Sequence, residues 1–484
     1  MEQFLQLFVY DADKPLLFNS GLFLMLFLVF YGLYLLLQGQ PKLRIIYTLV
    51  FSLYFYYKSS GQYLWILVLS TLIDFFLGKA IHQSQTEIRR KFFLVCSLCG
   101  NLGLLGYFKY TNFLIDSFNQ LSGTQIGLQE IFLPVGISFY TFQTLSYSID
   151  IYRRQIEPCK NIFDFAFFVS FFPQLVAGPI VRASEFIPQI KNKLALTESD
   201  LNRAFILISG GLVKKAVISD YISVNFVDRV FDNPLLYSSF ENLMAVYGYT
   251  IQIYCDFSGY SDMAIGLALL CGFKLTDNFN LPYQATSITD FWRRWHISLS
   301  TWLRDYLYIS MGGNRVNKWR TYLHLMLTML IGGLWHGASW KFVVWGGLHG
   351  LALAIEKHFS LHQSKKTSIL KNLFKQLLVF HFVAFCWIFF RAENFSIASQ
   401  LIGKVLSVQE FTINPAVFEA YRGAFMMILF GYLLHFLPSH YRQKTESQLS
   451  KMSIIPKSIL FALVIWTVFQ LSNADVQPFI YFDF

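Results

Sequence analysis

The chain has 484 residues, of which 55% are hydrophobic, 18% aromatic and only 14% charged, against about 25% charged in an ordinary soluble domain. This composition excludes a soluble multidomain enzyme, a collagen-like array and a disordered chain, and describes a protein packed against lipid. The formal net charge of +10 does not point to nucleic acid, because Lys and Arg fall in short loops between apolar runs and form no single basic face.

In chain order, Leu16 to Leu37 follows Asp11 and Asp13 and ends without an A-x-A-like cleavage site. It matches the ~20 residues of a spanning helix and reads as a first, retained one. Further apolar runs cover 43–57, 62–81, 92–108, 131–149, 162–180, 204–219, 242–272, 322–358, 373–390, 422–437 and 457–472. They predict about ten to twelve transmembrane helices, with 242–272 and 322–358 each long enough for a bent helix or a pair.

Lys42 and Arg44, then Arg89, Arg90 and Lys91, then Arg153 and Arg154 occupy alternate loops, as do Lys365, Lys366, Lys371 and the Arg442 to Lys457 segment. The positive-inside rule makes those loops cytoplasmic. The same alternation predicts both termini outside, with Glu2, Asp11 and Asp13 at one end and Asp475 and Asp483 at the other.

Cys96 and Cys99 form a CxxC within an apolar run that has no second pair or neighbouring histidine, so they read as small hydrophobes in the core and not as a zinc site. Residues 171–182, FFPQLVAGPIVR, contain two prolines and a glycine and predict a broken or re-entrant element. In YCDFSGYSDMAIG, residues 254–266, Asp256 and Asp262 stand in apolar surroundings. They either line a water-filled chamber or, for Asp256, cap a helix start.

Residues 291–320 alternate Arg293, Arg294, Arg304, Arg315, Lys318 and Arg320 with Trp292, Trp295, Trp302, Tyr306, Tyr308 and Trp319. That pattern predicts an interfacial cytoplasmic helix, serving as a membrane anchor or as a surface for an anionic substrate. Two of the chain's histidines stand out in and after this stretch. His296 follows Arg294 and Trp295, and His336 sits among Gly332, Gly333 and Gly337.

An ionisable group at membrane depth is costly and usually functional, although a snorkelling His296 and a helix-bridging His336 are the plain alternatives. The glycines would admit another helix or a substrate. There is no HExxH, no GxSxG and no phosphate-binding glycine pattern, so no metal site, serine nucleophile or nucleotide fold is expected. General acid and base chemistry fits two histidines better.

Together, FFPQLVAGPIVR, YCDFSGYSDMAIG, DNFNLPY at 277–283, DFWRRWHISLSTWLRDYLYISMGGNR at 290–315 and GGLWHG at 332–337 resemble the membrane-bound O-acyltransferase family. The bacterial alginate O-acetyltransferase branch is the most similar in pattern, and the ending Pro478-Phe479-Ile480-Tyr481-Phe482 is also similar to it.

The resemblance implies an all-α polytopic fold with re-entrant and interfacial helices around a central funnel or tunnel. It implies N-terminal helices over 1–125, a catalytic core over 126–360 and C-terminal helices over 361–484. His336 matches the family's near-invariant histidine and is the expected base, and His296 matches the second polar position. Asp290, Arg294, Trp295, Trp335, Asp256, Tyr260 and Asn278 are expected in binding or supporting places.

No bound cofactor is implied. A cytoplasmic thioester, acetyl-CoA, would be the donor, and a periplasmic acetyltransferase partner or a polysaccharide the acceptor, at the bacterial inner membrane. D-alanyl transfer to teichoic acid, or acetyl transfer to peptidoglycan or cellulose, shares the same motifs. A transporter with a histidine proton relay is the alternative of another class, but the WRRWH and GLWHG patterns have no second copy of the kind repeat-built transporters show.

Overall fold

The computed structural model describes residues 8–471 apart from 13, 193, 360–367, 408 and 410, together with 479 and 480. Glu2, Asp13, Lys365, Lys366, Asp475, Pro478, Tyr481, Phe482 and Asp483 lie outside the described residues. The described chain is helical, with no strand. Among those residues Pro41–Gln83, Glu87–Ser122, Ile369–Arg391 and Ile454–Leu471 are long and apolar enough to cross a membrane, and Arg422–Phe436 with Ser439–Lys451, bent by 94°, form a broken span or a re-entrant loop. The protein is an all-α polytopic membrane protein. Of its other apolar runs, 242–272 lies in one long helix, Ser239–Leu270, and most of the rest form shorter or interrupted helices.

The chain divides into two compact units, Met1–Ala204 with Ala264–Thr276, and Phe205–Met263 with Asp277–Phe484. In the first, helices α1 (Gly21–Leu36), α2 (Pro41–Ser60), α3 (Leu64–Gln83), α4 (Glu87–Leu105), α5 (Ile137–Tyr152) and α6 (Ile162–Ser170) pack largely through aromatic rings. Phe172 is surrounded by Phe23, Phe30, Phe51 and Phe55 at ring-centroid distances of 5.1 to 6.3 Å.

Phe172 opens the short helix Phe172–Leu175, with Pro173 in its first turn. The 171–182 segment is broken as expected, and its non-helical backbone is shielded by protein, as irregular structure at membrane depth requires. Among α3, α4 and α5, Asp74 accepts hydrogen bonds from Ser97 at 2.5 Å, Asn101 at 2.7 Å and Ser148 at 3.3 Å, so a costly buried carboxylate joins three helices. The CxxC is not core: Cys99 is exposed and Cys96 half-buried, on a helix whose apolar flank can face lipid.

The second unit holds α7 (Ser239–Leu270), α8 (Ile288–Arg294), α9 (Ile297–Trp302), α10 (Lys318–His336), α11 (Trp340–His358), α12 (Ile369–Arg391) and α13 (Arg422–Phe436); the end of α7 from Ala264 on, about two turns, is counted with the first unit. The 242–272 run is one unbroken helix and not a pair, since it contains no proline and its Gly259 meets Gly211 backbone to backbone. The 322–358 run is a pair, α10 and α11, parted at Gly337.

The capping role expected for Asp256 is overturned. It lies in mid-helix, where Lys215 reaches it at 2.5 Å and Asp220 at 2.8 Å, all three being largely buried. The continuous interfacial helix expected over 291–320 is instead α8, a break at His296, α9, a π-helical turn Leu303–Tyr308 and turns up to Asn317. Trp295 is wholly buried and Trp302 nearly so, while Trp319 is 82% exposed; of these three tryptophans only Trp319 is free to anchor.

Candidate active site

Two backbone bonds bring the site together. The Asn280 amide donates to Arg294 O and the Ile297 amide to Asn278 O, both at 2.9 Å, holding the DNFNLPY loop against the α8–α9 junction. At that junction His296 has φ +43°, a left-handed conformation that costs energy outside glycine and marks a position fixed by its surroundings. Ser287 caps α8 by accepting from the Asp290 amide at 3.0 Å. Asp290 and Arg294 pair at 2.9 Å, and Arg294 also reaches Asn280 O at 3.3 Å. These two residues secure the end of α8.

His296 is fully buried, so it does not snorkel. Its Nδ1 lies 3.2 Å from Asn278 Oδ1, which also accepts from the Ser298 amide at 3.1 Å and from the Ser298 hydroxyl at 2.9 Å. An amide N–H can only donate, so the Asn278 atom facing Ser298 is its oxygen. The Asn278 nitrogen points to Ser261 Oγ at 3.2 Å, in agreement. An oxygen that can only accept places a proton on His296 Nδ1 and leaves Nε2 with the lone pair. Burial pushes this imidazole down to about 3, because the charged form is poorly solvated, and the ring is neutral near pH 7.

His336, the last residue of α10, is also buried. Its ring centroid is 6.3 Å from that of His296, with Trp335 5.8 Å from the first ring and 5.1 Å from the second. Even with nitrogen facing nitrogen, rings at that separation leave about 4 Å between them, beyond direct hydrogen bonding but suited to an intervening oxygen. The glycines around His336 serve helix packing. A side chain at Gly333 would strike the Phe342 carbonyl, one at Gly346 the Met329 carbonyl, and the Phe342 ring fills the space beside Gly337.

Of the expected residues, His296, His336, Trp335 and Asn278 converge. Trp295 packs behind them on Phe279 and Trp387, at 5.1 and 4.9 Å. Tyr260 and Asp256 stand a layer further back. Phe257 sits edge-on to His296 at 4.6 Å and touches Phe479, on which Tyr260 stacks at 4.8 Å, and Asp256 accepts from the Ile480 amide at 3.1 Å.

Reading by motif missed Ser298 and Ser261, which fix Asn278, and His349, whose neighbour Trp345 lies 5.0 Å from the His336 ring. A signal for His349 was present: Trp345-Gly346-Gly347-Leu348-His349-Gly350 repeats the Trp, Gly and His composition of 332–337.

Two buried imidazoles lie close together in an all-α membrane fold, one with its proton position set, and imidazoles so placed are groups of the kind that general acid–base activation of a hydroxyl uses. Residues 152–400 match the MBOAT, membrane-bound O-acyltransferase family, and the chain belongs to that family; it is an O-acyltransferase. It is 37% identical to "Probable alginate O-acetylase AlgI" of Pseudomonas putida over 97% of this chain and 100% of that protein. It is 39% identical to "Peptidoglycan O-acetyltransferase" of Helicobacter pylori over 80% of this chain and 79% of that one. With "Teichoic acid D-alanyltransferase" of Bacillus subtilis the identity is 27% over 54% and 69%.

Proposed function

We propose that the protein carries an acetyl group from acetyl-CoA on the cytoplasmic side of a bacterial inner membrane to a hydroxyl on the outer side, for O-acetylation of an exopolysaccharide such as alginate. The acceptor is a periplasmic acetyltransferase partner or the polysaccharide itself, and both termini lie outside. The near full-length similarity to an alginate O-acetylase supports the substrate class.

The observation that carries the mechanism is the 6.3 Å pairing of His296 and His336. A hydroxyl between the rings loses its proton to His336 as its oxygen bonds to the thioester carbon. The C–S bond then breaks, and the thiolate takes that proton from the imidazolium. Base catalysis of this kind is worth about 10² to 10⁴ in rate.

With its proton on Nδ1, the neutral His296 offers Nε2 as an acceptor. This suits it to accept from the hydroxyl before that proton turns to His336, and not to donate to the oxyanion. Trp335 and Trp295 wall the centre, Asp290 and Arg294 hold the α8 end, and Asp256 and Tyr260 support the far side through Phe257. Direct transfer needs no acyl-enzyme.

The test is reconstitution in vesicles with acetyl-labelled acetyl-CoA and the candidate periplasmic partner. Label should reach partner or polymer with the wild type and not with His336→Ala, the variant remaining inserted and folded. Undiminished transfer by that variant rules His336 out as the base. Label delivered instead to peptidoglycan would move the acceptor toward the class named by the Helicobacter pylori relative.

A further inference from the structure

His349 on α11 is completely buried, and neither ring nitrogen has a hydrogen-bond partner among the described residues. Its surroundings are aromatic: Trp345 at 4.9 Å, Trp292 at 5.1 Å, Phe382 at 5.4 Å and Phe291 at 6.0 Å between ring centroids. A neutral imidazole carries one donor and one acceptor, and burying both unpaired is unfavourable. Phenylalanine would fill similar space without that cost. A histidine here is accounted for when its partner comes from outside the polypeptide.

The same condition recurs along one seam. The indole nitrogens of Trp292 and Trp345 and Oε1 of Glu356 are also buried without partners among the described residues. The other Glu356 oxygen accepts from the Ile288 and Thr289 amides at 2.6 and 3.2 Å, tying α11 to the start of α8. Trp345, His349 and Glu356, at i, i+4 and i+11, share one face of α11. They extend about 16 Å along it at 1.5 Å per residue, with Trp292 of α8 opposite. At its Trp345 end the row meets His336, 5.0 Å away between ring centroids.

We propose that His349 is a substrate-contacting residue, which hydrogen-bonds an amide in the carrier arm of the thioester donor as the arm lies along the α8–α11 seam and presents its acyl group to His336. The chemistry of the row selects this ligand. Indole N–H groups donate to an amide carbonyl, while the imidazole lone pair and the Glu356 carboxylate accept from an amide N–H. A purely hydrocarbon arm would leave all of them unpaired. The inference rests on the thioester donor proposed above.

The test uses the full-length protein in vesicles with acetyl-CoA as donor, and compares wild type, His349→Phe and His349→Asn. The Phe variant keeps the aromatic packing and removes both polar atoms; the Asn variant restores a donor and an acceptor. For His349→Phe the KM for acetyl-CoA should rise about three- to tenfold, the ratio that one lost hydrogen bond of ordinary strength gives, with kcat within about twofold and the melting temperature not lowered. His349→Asn should recover part of the KM.

With S-acetyl-2-mercaptoethanol, a donor that has no amide, wild type and His349→Phe should perform alike. If His349→Phe does not fold, Trp292→Phe, which removes one indole N–H, carries the same expectation. An unchanged KM for acetyl-CoA, or an equal penalty with the amide-free donor, overturns the proposal while leaving the donor assignment standing. Failure of the wild type to use acetyl-CoA at all defeats that assignment and the proposal with it.

Discussion

Asn278 Oδ1 is a single acceptor shared by the Nδ1 of His296, the Ser298 amide and the Ser298 hydroxyl, at 3.2, 3.1 and 2.9 Å. One carbonyl oxygen thereby decides which nitrogen of a buried imidazole carries the proton. It also fastens a left-handed residue between two helices.

Asn278→Ala removes the shared acceptor of three donors at once. Removing the acceptor for buried donors costs about 1–3 kcal/mol, and the freed ring can adopt the other tautomer. The variant should melt lower and transfer at least about tenfold more slowly. Asn278→Asp keeps the acceptor and should retain the fold, while its charge raises the proton affinity of His296. Melting curves and label-transfer rates of the two variants separate the structural part from the tautomeric one.

The burial of His296 has a pH signature. Its folded value of about 3 lies below the ~6.5 of an unfolded histidine, so between these limits the unfolded chain binds a proton that the folded protein refuses. The stability contribution is therefore complete above about pH 6.5 and is lost as pH falls below it, by at most about 1.4 kcal/mol per unit. Thermal melts in detergent should decline from pH 7.5 to pH 5. The decline should be shallower in His296→Asn, and equal slopes would show that His296 is not held neutral.

The two histidine motifs were legible because Trp, Arg and Gly around an imidazole are conspicuous in an apolar chain, and the four long apolar spans were legible from hydropathy. Asn278 could be picked out by its motif, but its contact with His296 depends on two loops pairing across 18 residues of sequence. Asp256 looked like a helix cap because a carboxylate beside an apolar run usually marks an end. Only the packing of Lys215 against α7 shows why an acid is tolerated in mid-helix. His349 escaped because a lone histidine in an aromatic run ordinarily reads as core, and its lack of a partner becomes visible only once its neighbours are placed.

Gly346 tests how closely the position of His336 depends on helix contact. A side chain there would run into the Met329 carbonyl and crowd Gly333, one turn before the histidine. Gly346→Val should push α10 and α11 apart, costing about 1–3 kcal/mol by overpacking. Transfer should fall more than stability does, since a shift of about 1 Å in catalytic geometry can cost 10²-fold. Activity measured well below the melting temperature of the variant makes the distinction; near wild-type rates there would mean that the α10–α11 contact does not set the imidazole's place.

Lys215 stands between Asp220 at 2.8 Å and Asp256 at 2.5 Å, with a side chain 2% exposed. The two neutralisations should therefore differ. Lys215→Met leaves two carboxylates buried together without a cation, and breaking a buried pair in this way costs about 3–5 kcal/mol. Asp256→Asn leaves Lys215 still paired with Asp220 and keeps an acceptor for the Ile480 amide, so its loss should be smaller. Combining Lys215→Met with Asp256→Asn removes one of the stranded anions and should restore part of what Lys215→Met alone loses. Melting temperatures in detergent should rank Asp256→Asn above the double variant and the double variant above Lys215→Met; a double variant no better than Lys215→Met would show that Asp256 is not ionised against Lys215.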